Sequence, residues 1–169
     1  EDFNAIPFIN ADGYHSKTIA YSIWHIFRIE DIVAHTVITE DEQVFFTGNY
    51  QVRINSPIIT TGNELVKQQI ADFSKQLNLE ELYSYIFEVR ESTEKILERF
   101  SYDELKWKIP DERKGYLKSL NVVNCDEKAI WLIDYWCSKD IRGLIQMPFS
   151  RHWITHTEAC LRIKNKMHS

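Results

Sequence analysis

The sequence predicts an all-α protein: a four-helix bundle with extra short helices and a long loop at about residues 43–62. Two observations predict this class. The chain has only five glycines and four prolines in 169 residues, fewer than a turn-rich all-β fold needs. Long segments also carry apolar residues at helical spacing. At this length a single domain, residues 1–169, buries about 70% of the surface that its unfolded chain exposes. It can therefore fold without disulfide bonds or a structural metal ion.

Capping residues and apolar spacing place the helices in order. Ser16, Asn78 and Asp126 are expected N-caps, and Ser101 with Glu104 fits a capping box. The helices are predicted over residues 16–40, 63–76, 79–100, 111–120, 126–143 and 148–167. The first of these is apolar on most faces, so we expect it to be largely buried.

Two stretches lack a helical pattern. Residues 1–15 contain Pro7 and Gly13 and are expected to be irregular. Residues 43–62 mix glycine, asparagine and proline with β-branched residues. A loop of roughly 20 residues is uncommon and often functional. A short β-hairpin is the alternative for this segment.

Composition excludes several classes of partner. The net charge is -5 with a pI near 5.7, which opposes nucleic-acid binding because that needs a basic face. No run of apolar residues is long enough for a membrane span. Three cysteines without a CxxC motif argue against a disulfide framework, and no signal peptide is visible at the Glu-Asp-Phe start. We therefore expect a cytoplasmic protein with a small-molecule partner.

His152 and His156 form the strongest local motif. Residues four apart on a helix share one face, with Cβ atoms about 5–6 Å apart. Two such imidazoles can bind one metal ion at about 2.0–2.1 Å. The spacing alone is a weak signal, and the alternative is one core and one surface histidine. Trp153 stands where the zinc-protease motif HExxH has its glutamate, which argues against such a peptidase.

His25 is the candidate third ligand. It lies between Trp24 and Ile26 in the most apolar predicted helix. A buried histidine must satisfy two ring nitrogens, and a metal ion plus one hydrogen bond does so. On the residues alone, a core histidine bonded to a backbone carbonyl is the favoured alternative.

Two segments resemble the signatures of the DinB superfamily, which includes YfiT-like proteins and thiol-dependent transferases. Residues 22–31, SIWHIFRIED, resemble its second helix, and MPFSRHWITH at 147–156 with Glu158-Ala159 resembles its last helix. The resemblance implies a four-helix bundle with zinc or nickel on His25, His152 and His156. The chain departs from the pattern in a first helix that is absent or shortened before residue 16, and in the longer segment 43–62.

Three neutral imidazoles would leave the ion its full charge and open coordination positions, as in catalytic sites. Such an ion lowers the pKa of bound water toward about 7 or deprotonates a thiol. The resemblance implies a low-molecular-weight thiol such as glutathione, mycothiol or bacillithiol. We therefore predict a metal-dependent hydrolase or thiol S-transferase. The alternatives are a non-catalytic metal- or ligand-binding bundle, for which a homodimer is one arrangement, and a helical domain without metal.

Helical geometry also suggests neighbours for the site, although it assigns no catalytic acid or base. Candidates for the pocket wall are Arg28, Ile29, Thr155 and Ala159. For Arg28 a surface ion pair is favoured over steering of an anionic substrate. Glu30 and Asp31 point away from the His25 face and are expected to make structural hydrogen bonds. Four tryptophans are assigned to the core, with one or two of them lining the pocket: Trp24, Trp131, Trp136 and Trp153.

Overall fold

The computed structural model describes residues 2–11 and 13–169. Within these ranges all regular elements are helical, and no strand forms. The α-helices are α1 (Ile19–Asp31), α2 (Val44–Thr47), α3 (Tyr50–Arg53), α4 (Gln68–Gln76), α5 (Leu79–Leu97), α6 (Arg113–Ser119), α7 (Glu127–Cys137), α8 (Ile141–Gln146) and α9 (Arg151–Met167). A π-helix (Ile32–Thr39) continues α1, and 3₁₀ turns cover Asp2–Asn4, Gly13–Ser16 and Glu104–Lys106. Across the described ranges no helix has the length and hydropathy to cross a membrane.

Helix α1 and the π-helix are the buried axis of the structure. The hydroxyl of Thr18 accepts a hydrogen bond from the Tyr21 N–H at 3.0 Å, so the helix begins after Thr18 rather than after Ser16. The π-helix ends at Glu40, whose φ of 59° is left-handed. Helix α1 contacts α4, α5 and α9. The predicted burial of this helix and its end near residue 40 are both confirmed.

The core consists of two clusters that meet along α1. One includes Phe27 of α1 with apolar side chains of α2 to α5, and the other includes Ile29 with side chains of the π-helix, α6, α7 and α8. Burial of this apolar surface is the main stabilising contribution, at about 25 cal/mol per Å². Phe27 and Ile29 belong to different clusters although they are two residues apart. Ile29 lies beside side chains of both α7 and α9.

Residues 43–62 contain two short helices rather than the alternative β-hairpin. The carboxylate of Asp31 accepts the backbone N–H groups of Val44 and Phe45, each at 2.9 Å, and so caps α2 from a distant helix. Asn49, at φ 53°, separates α2 from α3. A cap supplied by a side chain 13 residues away leaves no local signal in the sequence.

Three other predicted boundaries are wrong. Helix α4 starts at Gln68 instead of residue 63, because Gly62 and Lys67 both have positive φ. The predicted helix 126–143 is two helices, since Asp140 caps a new start by accepting the Gly143 N–H at 2.7 Å. The last helix starts at Arg151, three residues later than predicted.

Local capping signals are confirmed elsewhere. Asn78 caps α5 by accepting the N–H groups of Glu80 and Glu81. Ser101 and Glu104 form the predicted capping box, with bonds of 2.7 and 3.4 Å between each backbone N–H and the other side chain. The stretch predicted as irregular, residues 1–15, contains 3₁₀ turns, while Glu1 and Asp12 lie outside the described residues.

Candidate metal centre

Three histidines meet where α1 packs against α9. His25, His152 and His156 are 4%, 7% and 2% exposed, and one ring nitrogen of each lies within 4.8 Å of the other two. The Nε2 atoms of His25 and His152 are 3.2 Å apart. Ligands held at about 2.0–2.1 Å in tetrahedral geometry lie about 3.3 Å apart, so this spacing matches a shared ion. The fold therefore brings together the three histidines that the sequence predicted as candidate ligands.

The other ring nitrogen of His25 is fixed by the backbone. Nδ1 lies 2.6 Å from the Thr61 carbonyl oxygen, and since a carbonyl only accepts, Nδ1 carries the proton and donates. The Nε2 lone pair then faces His152 and His156. Metal-ligating histidines are oriented in this way. The carbonyl bond that the sequence offered as the alternative to metal binding is present, but it leaves Nε2 available for an ion.

The Thr61 carbonyl is itself held by a tight turn. The ring of Tyr21 stacks on His25 at 5.4 Å, and its hydroxyl donates to the Gly62 carbonyl at 2.8 Å. Gly62 has φ +77°, and a Cβ there would lie 2.8 Å from the Trp24 ring. Only glycine fits this backbone without displacement.

Burial keeps the three imidazoles neutral. Loss of hydration lowers the pKa of His25 well below its ordinary value, with positive charge on His156 or His152 acting in the same direction. Burial likewise lowers the pKa of His152 to about 4 and that of His156 to about 3. Neutral imidazole is the form that binds metal ions, so at pH 7 no ring has to lose a proton before it binds one.

The low pKa values predict acid sensitivity of the metal-free protein. Unfolded histidines titrate near 6.5, whereas His152 and His156 stay neutral in the fold until about pH 4 and 3. As the pH falls below 6.5 only the unfolded state gains these protons, so stability falls. Between pH 6.5 and 5 we expect a loss on the order of 2 kcal/mol per histidine. Urea unfolding at both pH values measures it. A His152→Gln/His156→Gln variant should lose less, and an equal loss in both proteins would contradict the assignment.

A cavity of about 220 Å³ opens beside the histidines. Its wall consists of His25, Ile29, Asn63, Trp131, Leu132, Tyr135, Trp136, Met147, Pro148, His152 and His156. Ile29 is thus the predicted wall residue that lines it. Ala159 is buried in α9, and Thr155 is half-buried and donates to the Arg151 carbonyl; neither belongs to this wall.

Arg28 is fully buried and lies away from the cavity. Its guanidinium donates to the Ile59 carbonyl and to Gln43 Oε1, and Nη1 is 3.5 Å from Asp31. The prediction that Arg28 forms a surface ion pair is therefore wrong. Its hydrogen bonds to protein groups replace hydration of the buried guanidinium. The structural roles expected for Glu30 and Asp31 are confirmed: Glu30 accepts from Arg90 at 3.0 Å, and Asp31 caps α2.

No pattern in the sequence indicated Asn63 or Thr61 as site residues. Both follow from the turn at Gly62, whose path depends on packing against α1. The wall residues of α7 could have been predicted from the sequence, because residues 131, 132, 135 and 136 share one helical face. That face agrees with the expectation that one or two tryptophans wall the pocket.

A second hydrogen-bonded chain involves His35. Ser92 Oγ is 2.9 Å from His35 Nε2, and His35 Nδ1 is 2.6 Å from Asp41 Oδ1, which is the order found in serine hydrolases. Ser92, however, lies inside α5, where backbone N–H groups bond to carbonyls of the same helix. No backbone N–H beside Ser92 is therefore free to stabilise an oxyanion. We assign these hydrogen bonds a structural role, in which they connect the π-helix to α5.

Comparison with known proteins gave no match to any family model, curated protein or solved structure. The class defined by the coordinates is an all-helical protein with three buried, converging histidines beside an apolar cavity.

Proposed function

We propose that this chain is a metal-dependent enzyme of the DinB type that acts on small molecules, as a hydrolase or thiol S-transferase. One zinc or nickel ion would be held by His25, His152 and His156. The observation that carries the proposal is the convergence of three buried imidazoles at the wall of a cavity. Imidazole ligands suit both metals.

The proposed bundle comprises the four longest helices, α1 with its π-helix, α5, α7 and α9. In support, α1 contacts α5 and α9, while the π-helix contacts α5 and α7. The two helices that carry the histidines are therefore direct neighbours. A small-molecule rather than nucleic-acid partner completes the proposal and depends on the acidic net charge, and a cytoplasmic location depends on the three cysteines without a CxxC motif.

The chemistry divides between the ion and the chain. A divalent ion would supply a Lewis acid and a water or thiol ligand of lowered pKa. The chain supplies the orientation of His25 through Thr61, neutral imidazoles through burial, and a mostly apolar wall beside them. Low dielectric beside the ligands strengthens every electrostatic interaction with a bound substrate.

A non-catalytic metal-binding role is the second candidate. Closed structural zinc sites have four protein ligands, whereas the candidate cluster among the described residues has three. A cavity beside the histidines also leaves room for an exchangeable ligand. Both features favour an enzyme over a structural site.

Turnover of metal-loaded protein tests the proposal. Zinc- and nickel-loaded samples would be assayed with a panel of low-molecular-weight thiols and electrophiles, and with ester and amide substrates. We expect metal-dependent turnover that is lost in His152→Ala and retained in His168→Ala, whose histidine is exposed at the C-terminus. Fully loaded protein that turns over none of them would favour the binding role.

Gly62→Ala tests how the turn supports the site. The added Cβ meets Trp24 at a positive φ, so the Thr61 carbonyl should move away from His25. Loss of such a partner typically lowers metal affinity by about 10–100-fold. Competition with a chelator measures the change. Gly115→Ala is the matched control, because its Cβ would meet nothing within 4 Å. Equal zinc affinity in the two variants would contradict the role of the turn.

A further inference from the structure

The wall of the cavity beside the histidines is almost entirely apolar. Seven of its side chains are aliphatic, aromatic or thioether groups: Ile29, Trp131, Leu132, Tyr135, Trp136, Met147 and Pro148. No Asp, Glu, Lys or Arg is among the described residues that line it. Away from the histidines, a charged group that entered would lose hydration without gaining a partner, which costs several kcal/mol. The wall therefore selects uncharged groups.

The size of the cavity sets the size of its occupant. Its volume is about 220 Å³. An engineered apolar cavity of about 150 Å³ binds benzene in another protein. A phenyl-sized group thus fits, with room for a reacting group next to the histidines.

Helix α7 forms the mouth and the base of the cavity. Trp131 is 49% exposed and Trp136 is 1% exposed, so the wall that α7 supplies extends from the surface of the protein to its interior. The Trp131 Nε1–H donates to the Lys128 carbonyl at 2.9 Å, and its ring meets Tyr135 at 5.6 Å. Both contacts hold the exposed indole in place. Rigid aromatic walls favour planar partners through stacked or edge-to-face contacts.

Asn63 contributes a polar group to this apolar wall. Its Oδ1 is buried and has no hydrogen-bond partner in the structure. A buried amide oxygen without a partner costs about 1–3 kcal/mol. Among the described residues, the other polar groups of the cavity wall belong to the three histidines, the Tyr135 hydroxyl and the two indoles. Because Oδ1 is closed to solvent, a ligand in the cavity bonds to it only after the Asn63 side chain turns toward the cavity.

We propose that the substrate of this site is a small molecule with a planar, uncharged apolar group. The apolar group packs against α7, and a polar group next to it bonds to Asn63 at the histidine end of the cavity. This inference rests on the proposed function, which places the reacting atoms beside the metal ligands. A thiol that carries carboxylates keeps those charges outside the cavity.

Hydroxamates of different size test the inference because they bind open coordination positions of zinc. With zinc-loaded protein, we expect benzohydroxamate to bind at least about tenfold more tightly than acetohydroxamate, since only the phenyl ring fills the apolar wall. A 4-carboxy substituent should reverse that gain. Isothermal titration measures all three dissociation constants.

Substitutions of the wall residues test where the hydroxamates bind. Trp131→Ala should reduce the preference for benzohydroxamate severalfold, whereas Trp107→Ala, at an indole of similar exposure outside the cavity, should not. Asn63→Ala should weaken both hydroxamates by about fivefold and leave zinc affinity unchanged.

The outcomes separate the two proposals. Equal affinity for the two hydroxamates, or a preference that Trp131→Ala leaves intact, would overturn the inference while the metal site stands. If acetohydroxamate and benzohydroxamate both fail to bind zinc-loaded protein, the ion has no open position, and the proposed function falls together with the inference.

Discussion

Asp31→Ala is expected to lower the free energy of unfolding by about 3–5 kcal/mol, the usual result of removing one partner of a buried charge pair. Asp31 is fully buried, with Arg28 Nη1 at 3.5 Å. Its carboxylate also accepts the hydroxyl of Tyr85 at 2.8 Å and two backbone N–H groups of α2. Alanine would leave the two backbone N–H groups without this acceptor and would remove the charge partner of Arg28 Nη1.

A loss of that size is a large share of a typical folding stability of about 5–15 kcal/mol. Urea unfolding followed by circular dichroism measures it. Asp72→Ala is the control, because Asp72 is exposed on α4 and bonds only within its own helix. The control should lose at most about 0.5 kcal/mol. Similar stability of the two variants would contradict the buried network.

His25→Ala is expected to weaken metal binding by more than about a hundredfold. Loss of a group that only supports a ligand typically costs about 10–100-fold, so loss of one of three ligands should exceed that range. His25 is also the one histidine of the cluster that joins α1 to the pair on α9. Its removal leaves two ligands on a single helix.

Titration of metal-free protein with zinc in the presence of a competing chelator measures this loss. His168→Ala is the matched histidine control, since His168 is exposed and pairs with Asp2 at 3.3 Å. Far-UV circular dichroism checks that His25→Ala keeps its helices. Wild-type zinc affinity in a folded His25→Ala protein would remove His25 from the site.

Several features of the fold were predictable because their signals are local. Asn78 and the pair Ser101 and Glu104 cap turns through atoms only two or three residues away, and the structure shows these bonds. The pairing of His152 with His156 follows from one helical turn. His25 was predicted as the third ligand because it lies in an apolar helix and because residues 22–31 resemble a DinB helix.

Other features depend on contacts between distant segments. Asp31 caps α2, and Arg28 is buried against the Ile59 carbonyl, 31 residues away. The turn at Gly62 aligns Thr61 with His25 only because Trp24 and Tyr21 pack against it. No spacing rule encodes such contacts, so the positions of the short helices and of Asn63 appeared only in three dimensions.

X-ray absorption spectroscopy of zinc-loaded protein tests the central claim most directly. The account predicts one zinc ion per chain with three imidazole nitrogens at about 2.0–2.1 Å, and two imidazoles in His25→Ala. A protein that binds no stoichiometric zinc, or a spectrum with a single imidazole, would contradict the convergence of His25, His152 and His156 on one ion.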